Sequence, residues 1–274
     1  MGLLIVDEKK CKKDKMCVDE CPFGIIEIDP SNGYPRLVPG GEKICNACGH
    51  CVAVCPHDAM SHKYVPIEES PIIDKDLAIN KTQVWQFLRT RRSIRRFKDK
   101  PVEKGKIEQL IDIARYAPTA RNAQLLEWLV ITDKSALKAL SQLTIDWIRD
   151  DLAKDPEHPR APYFPLLVAG WDAGQDVILR DAPALIVVSA PKETSFGLVD
   201  LSIALAYLEL AALTLGLGTC WAGLLEGALL SWPPAQKALN LSDERPYHYP
   251  MMLGYPVAKY HRLPQRKKPN IAWG

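Results

Sequence analysis

From residue 82 onward the chain repeats its apolar positions with periods that name its elements. Val84, Phe87 and Leu88 fall at i, i+3 and i+4, which predicts a helix. A second helix carries Ile107, Leu110, Ile111 and Ala114 on one face and stops before Pro118. Residues 127–132 read as a strand, and residues 135–152 as an amphipathic helix with Leu137, Leu140, Ile145 and Ile148 turned inward. Residues 158–165 are aperiodic, whereas 184–190 form a short apolar, β-branched run that predicts a central strand. Residues 200–215 are apolar on nearly every face, the pattern of a helix buried all round. The stretch 61–80 contains Pro66 and Pro71 and holds no period. This divides the chain into a first domain, residues 1–62, a connection, 63–80, and a second domain, 81–274, with an α+β fold class overall.

A length of 274 residues agrees with two domains, the larger able to bury a substantial core. Lys and Arg number 35 against 33 Asp and Glu, and a net charge of +2 argues against nucleic acid or an anionic membrane as a global partner. Residues 201–225 hold one charge, Glu209, and approach the composition of a membrane span. Gly216 and Gly218 break that run after about 15 helical residues, a length suited to a buried core helix. The opening apolar run is too short for a signal peptide and has no basic segment before it, so the expected compartment is the reducing cytoplasm.

Cysteine spacing adds chemistry to this outline. Cys45, Cys48, Cys51 and Cys55, followed by Pro56, follow C-x2-C-x2-C-x3-C-P, the run in which three thiolates hold one iron–sulfur cluster and the fourth ligates another. Subtracting 34 residues carries Cys45, Cys51 and Cys55 onto Cys11, Cys17 and Cys21, and carries Cys48 onto Asp14. Crossed ligation then assigns one cluster, a [4Fe-4S], to Cys21, Cys45, Cys48 and Cys51. The other falls to Cys11, Cys17, Cys55 and the Asp14 corner. There either a carboxylate oxygen completes a second [4Fe-4S] cluster, or that iron is missing or exchangeable and the cluster is [3Fe-4S], because oxygen is a harder ligand than sulfur. Zinc is the competing reading of paired cysteines, but seven thiols in two overlapping sets exceed its four ligands. This region resembles the dicluster bacterial-type ferredoxins.

Five arginines lie between residues 89 and 96. On count alone such a run is a solvated face. Arg91, Arg92, Ser93 and Arg95, however, combine donor forks with a hydroxyl beside a helix end, a set able to enclose a terminal phosphate. The segment R-R-S-I-R-R-F at 91–97, the A-P-T-A-R-N-A-Q run at 117–124, G-L-G-T-C-W at 216–221 and the closing Met251-Met-Leu-Gly254-Tyr-Pro256 resemble, in that order, the flavin-dependent nitroreductase family. The resemblance implies FMN as cofactor, with its phosphate held by Arg91, Arg92, Ser93 and Arg95. It implies that Pro118, Thr119 and Ala120 line the flavin ring, that Asn122 bonds its polar edge, and that Gly223 and Leu224 approach it through the backbone. Arg262 and Arg266 either return to the phosphate or belong to a solvated basic tail. The resemblance also implies a central mixed sheet and a homodimer with helix 200–215 at its interface. Residues 158–165 and their neighbours become the lid, in which Tyr163, Phe164 and Trp171 either touch substrate or merely pack. Cys220, outside the repeat, reads as a buried core thiol.

Clusters carry single electrons and a flavin carries one or two, so the combination implies an oxidoreductase that passes electrons from a ferredoxin-type donor or NAD(P)H to a small organic acceptor: a nitroaromatic, a quinone or an activated alkene. An electron carrier or redox sensor is the alternative. No catalytic proton donor stands out. Gly216-x-Gly218 lacks the third glycine of a dinucleotide fingerprint and follows a helix rather than a strand.

Overall fold

Short strands and single-turn helices build the first part of the chain, and a four-stranded sheet layered between helices builds the rest. The structure, a computed structural model, describes residues 2–155 and 162–274. It divides into one unit of residues 1–79 with 121–123 and a second of residues 80–120 with 124–274.

In the first unit β1 (Leu4–Val6), α1 (Met16–Asp19), β2 (Ile26–Ile28), β3 (Pro35–Leu37), α2 (His50–Ala53) and β4 (Met60–His62) follow one another. β1 pairs antiparallel with β4, and β2 with β3. Helices of four residues lie far below the length that sustains itself in water, so packing must hold them. The core that does so is small: Cys17, Ile25, Ile26, Cys51, Val52 and Met60. The 34-residue repeat is written in the backbone as well. Adding 34 carries α1 onto α2 and β2 onto β4, and it pairs the left-handed residues Lys13 with Ala47, Lys15 with Gly49, and Gly24 with Asp58. Four of these six are not glycine, and each such residue in the left-handed region costs on the order of 1 kcal/mol.

The connection begins later than the period suggests. Val65 bridges His62, Ser61 Oγ accepts from the Ile67 amide at 3.1 Å, and Ile67 packs on the first unit's core. Ile72, Ile73, Leu77 and Ile79 are exposed beyond it.

The second unit contains α3 (Lys81–Thr90), α4 (Lys104–Ala114), β5 (Glu127–Ile131), α5 (Lys134–Lys154), α6 (Phe164–Asp172), β6 (Ala184–Ala190), α7 (Gly197–Thr214), β7 (Gly218–Trp221), α8 (Gly223–Ser231), α9 (Pro233–Ala238) and β8 (Tyr247–Gly254). Strand order is β5-β6-β8-β7, with every ladder antiparallel. The mixed character expected of the sheet rests on one parallel bridge, between Ser93 and Thr219 at the β7 edge. β6 lies inside the sheet, as its β-branched run predicts. One core places α4 and α7 against Ile186, Val188, Met251 and Leu253, and the other places α5 and α8 against Leu185, Val187 and Met252. Alternation along β6 and β8 sends successive side chains to these two layers.

Two helices depart from their sequence patterns. α3 opens with a capping box, Asn80 and Gln83 each bonding the other's backbone amide, yet none of its residues is buried. α7 is covered on one side by Leu201, Leu205, Leu208 and Ala212, but Ile203, Ala206, Leu210 and Leu213 are half-buried and Tyr207 is exposed. Its all-apolar composition therefore describes a helix with one face packed and one uncovered in the single chain.

Gly218 lets the arginine segment reach the sheet. A Cβ there would lie 2.3 Å from Ile94 Cγ1 and 3.2 Å from Pro256 Cγ, while the Ile94 amide donates to Thr219 O at 2.8 Å. Gly218→Ala should lower stability by about 2 kcal/mol in urea denaturation. Gly105→Ala, in α4 with open space around it, should raise stability by about 0.5 kcal/mol.

Candidate functional site

The first unit gathers its thiols into two groups. Cys21, Cys45, Cys48 and Cys51 line one cavity together with Ile25, Ile26 and Leu37. Cys11, Asp14, Cys17 and Cys55 line the other, with Lys12, His57 and Met60. The last cysteine of each run stands with the opposite set, the crossing that the spacing predicts. Among the described residues no group of three or more His, Cys, Asp or Glu side chains closes on a single ion. Four donors spread around a cavity suit a multi-iron cage, and a sulfur donor set fits it chemically. Burial pushes the Cys17 and Cys51 thiols up to about 11. Iron binding replaces those protons.

The Asp14 carboxylate is held at its corner. Oδ1 accepts from the Met16 amide at 3.2 Å, and Oδ2 lies 3.2 Å from His57 Nε2. His62 is a residue that sequence reasoning missed. Burial lowers its pKa, and its Nδ1 accepts from the Tyr64 amide at 3.1 Å. The remaining proton therefore sits on Nε2, which donates to Cys45 Sγ at 3.6 Å. A histidine just beyond the second Cys-Pro is a weak sequence signal, since only the β1–β4 pairing brings it to the sulfur.

In the second unit a cavity of about 580 Å³ is lined by Trp85, Leu88, Arg89, Arg91, Arg92, Pro264, Gln265 and Arg266. Four guanidinium groups around one space suit a phosphate dianion, so the residues fit an FMN phosphate. Arg91, Arg92 and Arg266 meet there, from opposite ends of the domain sequence. Arg89 and Trp85 were not singled out by the motif, although the helical period from Trp85 to Arg92 places them on the same side. Arg262 is exposed in the tail and does not line this wall. Ser93 and Arg95 stand at the β7 edge, near Cys220. Burial pushes that thiol up, partly offset by the Arg95 and Arg180 charges and the Ser93 hydroxyl.

Arg91 ends α3 and does not face the cavity alone. Its Nη1 donates to Glu209 Oε1 at 3.0 Å, and the same carboxylate, buried in α7, accepts from Thr219 Oγ1 at 3.2 Å and Trp221 Nε1 at 3.2 Å. The loop 118–120 is tied to the same helix, Ala120 N donating to buried Asp200 Oδ1 at 2.9 Å. Thr119 Oγ1 accepts from the Gln124 amide at 3.0 Å. Asn122, expected at a flavin edge, groups with the first unit: its Nδ2 donates to Asn46 O at 3.0 Å and Ala47 O at 3.1 Å, leaving its side-chain oxygen for other partners. Gly223 and Leu224 open α8, where first-turn amides point out of the helix. A Cβ on Gly223 would lie 3.4 Å from Tyr249 Oη.

The lid aromatics divide between core and surface. Phe164 is fully buried, edge-on to Trp147 at 5.7 Å, and Trp171 Nε1 donates to Gln142 at 3.0 Å. Both pack on the α5 core, while Tyr163 is exposed. Of the expected lid, residues 158–161 lie outside the described residues.

Known proteins share both parts. A family model described as 4Fe-4S dicluster domain matches residues 9–59, and one described as nitroreductase family matches residues 88–255. Over 191 residues, 67% of this chain and 71% of the relative, the sequence is 29% identical to an FMN reductase (NAD(P)H) of Bacillus subtilis strain 168. Over 60 residues, 21% of this chain and 93% of the relative, it is 37% identical to a ferredoxin of Methanothermococcus thermolithotrophicus. A crystal structure of a nitroreductase with bound FMN from Bacteroides fragilis NCTC 9343 matches with a TM-score of 0.56 at 17% identity, covering 71% of this chain and 100% of that one, and shows the same fold. With the match running from the end of α3 to the end of the sheet, more than half of its length, the chain belongs to the nitroreductase family and carries a 4Fe-4S dicluster domain before it.

Proposed function

We propose that the protein is an FMN-dependent iron–sulfur oxidoreductase that joins a single-electron donor, or NAD(P)H, to the two-electron reduction of a small organic acceptor. The observation that carries this reading is the pairing, on one chain, of two cavities ringed by crossed Cys sets with a cavity ringed by Arg89, Arg91, Arg92 and Arg266. Bound FMN supplies the exchange between one- and two-electron chemistry. The chain's own residues hold the groups. Thiolates and the Asp14 carboxylate cradle the clusters, the arginines neutralise a phosphate, and the 118–120 loop and the α8 N-terminus frame a planar ring. The acceptor is a nitroaromatic, a quinone or an activated alkene.

A second copy of the chain is proposed to cover α7. Ile203, Ala206, Tyr207, Leu210 and Leu213 recur at helical spacing on its open side, an apolar face that a single chain leaves to water. The compartment proposed is the cytoplasm, where thiols stay reduced.

Anaerobically purified protein should contain one FMN per chain, released on denaturation. In stopped-flow mixing with a reduced low-potential ferredoxin, the clusters should bleach before the flavin does, and added acceptor should restore both over many turnovers. Turnover from NADH with clusters that stay oxidised throughout would reverse the proposed order. Brief air exposure should remove about one iron per chain from the wild type and give a three-iron electron paramagnetic resonance signal. Asp14→Cys should keep its iron and remain silent. His62→Leu removes a donor to Cys45 Sγ, so it should lower the potential of one cluster in a redox titration and leave the other unchanged.

A further inference from the structure

α7 carries two buried acids, Asp200 and Glu209, at 4% and 6% exposure, in a helix otherwise apolar. Nine residues separate them, about 13 Å along the axis. Each is answered by a segment that bears on a different part of the flavin reading. Asp200 Oδ1 accepts from Ala120 N at 2.9 Å and so fixes the loop 118–120. Glu209 accepts from Arg91, Thr219 and Trp221, and so fixes the first guanidinium of the phosphate wall. Neither acid lines the 580 Å³ cavity.

We infer that Asp200 and Glu209 are positioning residues that set the two ends of the FMN site from one rigid helix, Asp200 through the ring-lining loop and Glu209 through Arg91. The inference rests on the FMN reading above. Glu209 acts as a clamp because its own freedom is removed first. Thr219 Oγ1 shares Oε1 with Arg91, and Trp221 Nε1 occupies Oε2, so the carboxylate presents one direction to the arginine. An arginine has five donors in a planar fork, and Glu209 engages that of Arg91 through Nη1, so the fork of a side chain that lines the cavity is held in one plane. Preorganisation of this kind raises affinity by removing the ordering cost from the binding step. Asp200 does the same for a backbone amide, and the held loop presents Pro118 and Thr119 regardless of what the ligand carries at its far end.

The two clamps are separable because riboflavin has the ring and lacks the phosphate. Apoprotein of the full chain would be titrated with FMN and with riboflavin by quenching of flavin fluorescence. Glu209→Gln puts an amide N–H against Trp221 Nε1–H or against the Arg91 fork, and should weaken FMN about tenfold while changing riboflavin by less than about twofold. Asp200→Asn should weaken both ligands by the same factor. Arg91→Gln and the double variant Arg91→Gln/Glu209→Gln should bind FMN equally, since the effect of Glu209 on the phosphate wall passes through Arg91. If Glu209→Gln fails to give a cooperative thermal transition, Thr219→Val keeps the charge, removes one of the donors that fix it, and should show the same FMN-selective loss. Unchanged FMN affinity in Glu209→Gln, or equal loss for FMN and riboflavin, overturns the inference and leaves the FMN reading standing. A wild-type chain that binds neither ligand overturns the FMN reading itself.

Discussion

A carboxylate buried in an apolar helix has to be answered by donors, and in the second unit that requirement organises the neighbourhood of the arginine-lined cavity. Glu209 draws the end of α3 through Arg91 and the edge strand β7 through Thr219 and Trp221. The Glu209 side chain is 7% exposed and that of Arg91 26%, so loss of the arginine would leave the buried carboxylate short of a donor, a larger loss than the pair itself contributes. Two neighbouring elements, α7 and β7, and the end of α3, 118 residues before Glu209, are thereby committed to one arrangement. The backbone agrees with it: Ser93 bridges Thr219, Phe97 bridges Pro256, and Gly218 supplies the missing side chain that their approach requires. The arginine segment is thus fastened to the sheet on one side and to α7 on the other, and its guanidinium groups inherit the rigidity of both.

The first unit solves a different problem. Its core has six buried residues, two of them cysteines, and its helices are single turns, so apolar burial contributes little. Metal–sulfur bonds are the natural staple for a domain of this size, since ligand binding free energy becomes folding free energy. The same reasoning accounts for non-glycine residues in left-handed conformations beside the cysteine runs, such as Lys13, Lys15 and Ala47. Strain of this kind persists where the surroundings dictate the backbone, and a cage that must be ringed by four ligands does so.

Much of this was legible in the sequence, for identifiable reasons. The crossed sets of cysteines followed from spacing alone, because a 34-residue offset acting on short rigid turns leaves little freedom. The core strand β6 and helices α4 and α5 were legible from period, which reports burial directly. Period misled at α3 and α7: α3 has an apolar stripe and α7 is apolar nearly all round, yet each leaves a face open in the single chain, because an apolar pattern does not say what covers it. Arg91 was legible as one of the arginines gathered around one cavity, but its bond to Glu209 was not. Glu209 stood out as the lone charge of its run, and 118 residues separate it from its partner, a pairing no local pattern encodes. His62 and Asp200 were hidden for the same reason. Phe164 was ambiguous as lid or core, and depth resolved it in favour of core.

The paired left-handed positions of the repeat separate what its two halves share from what they do not. Lys13 and Ala47, Lys15 and Gly49, Gly24 and Asp58 differ in identity within every pair and agree in handedness. The two halves thus share main-chain shape while their side chains differ over it. One mould therefore presents different chemistry at a single corner, the Asp14 carboxylate in one half and the Cys48 thiol in the other. Chemical asymmetry at that corner sits within a backbone that repeats.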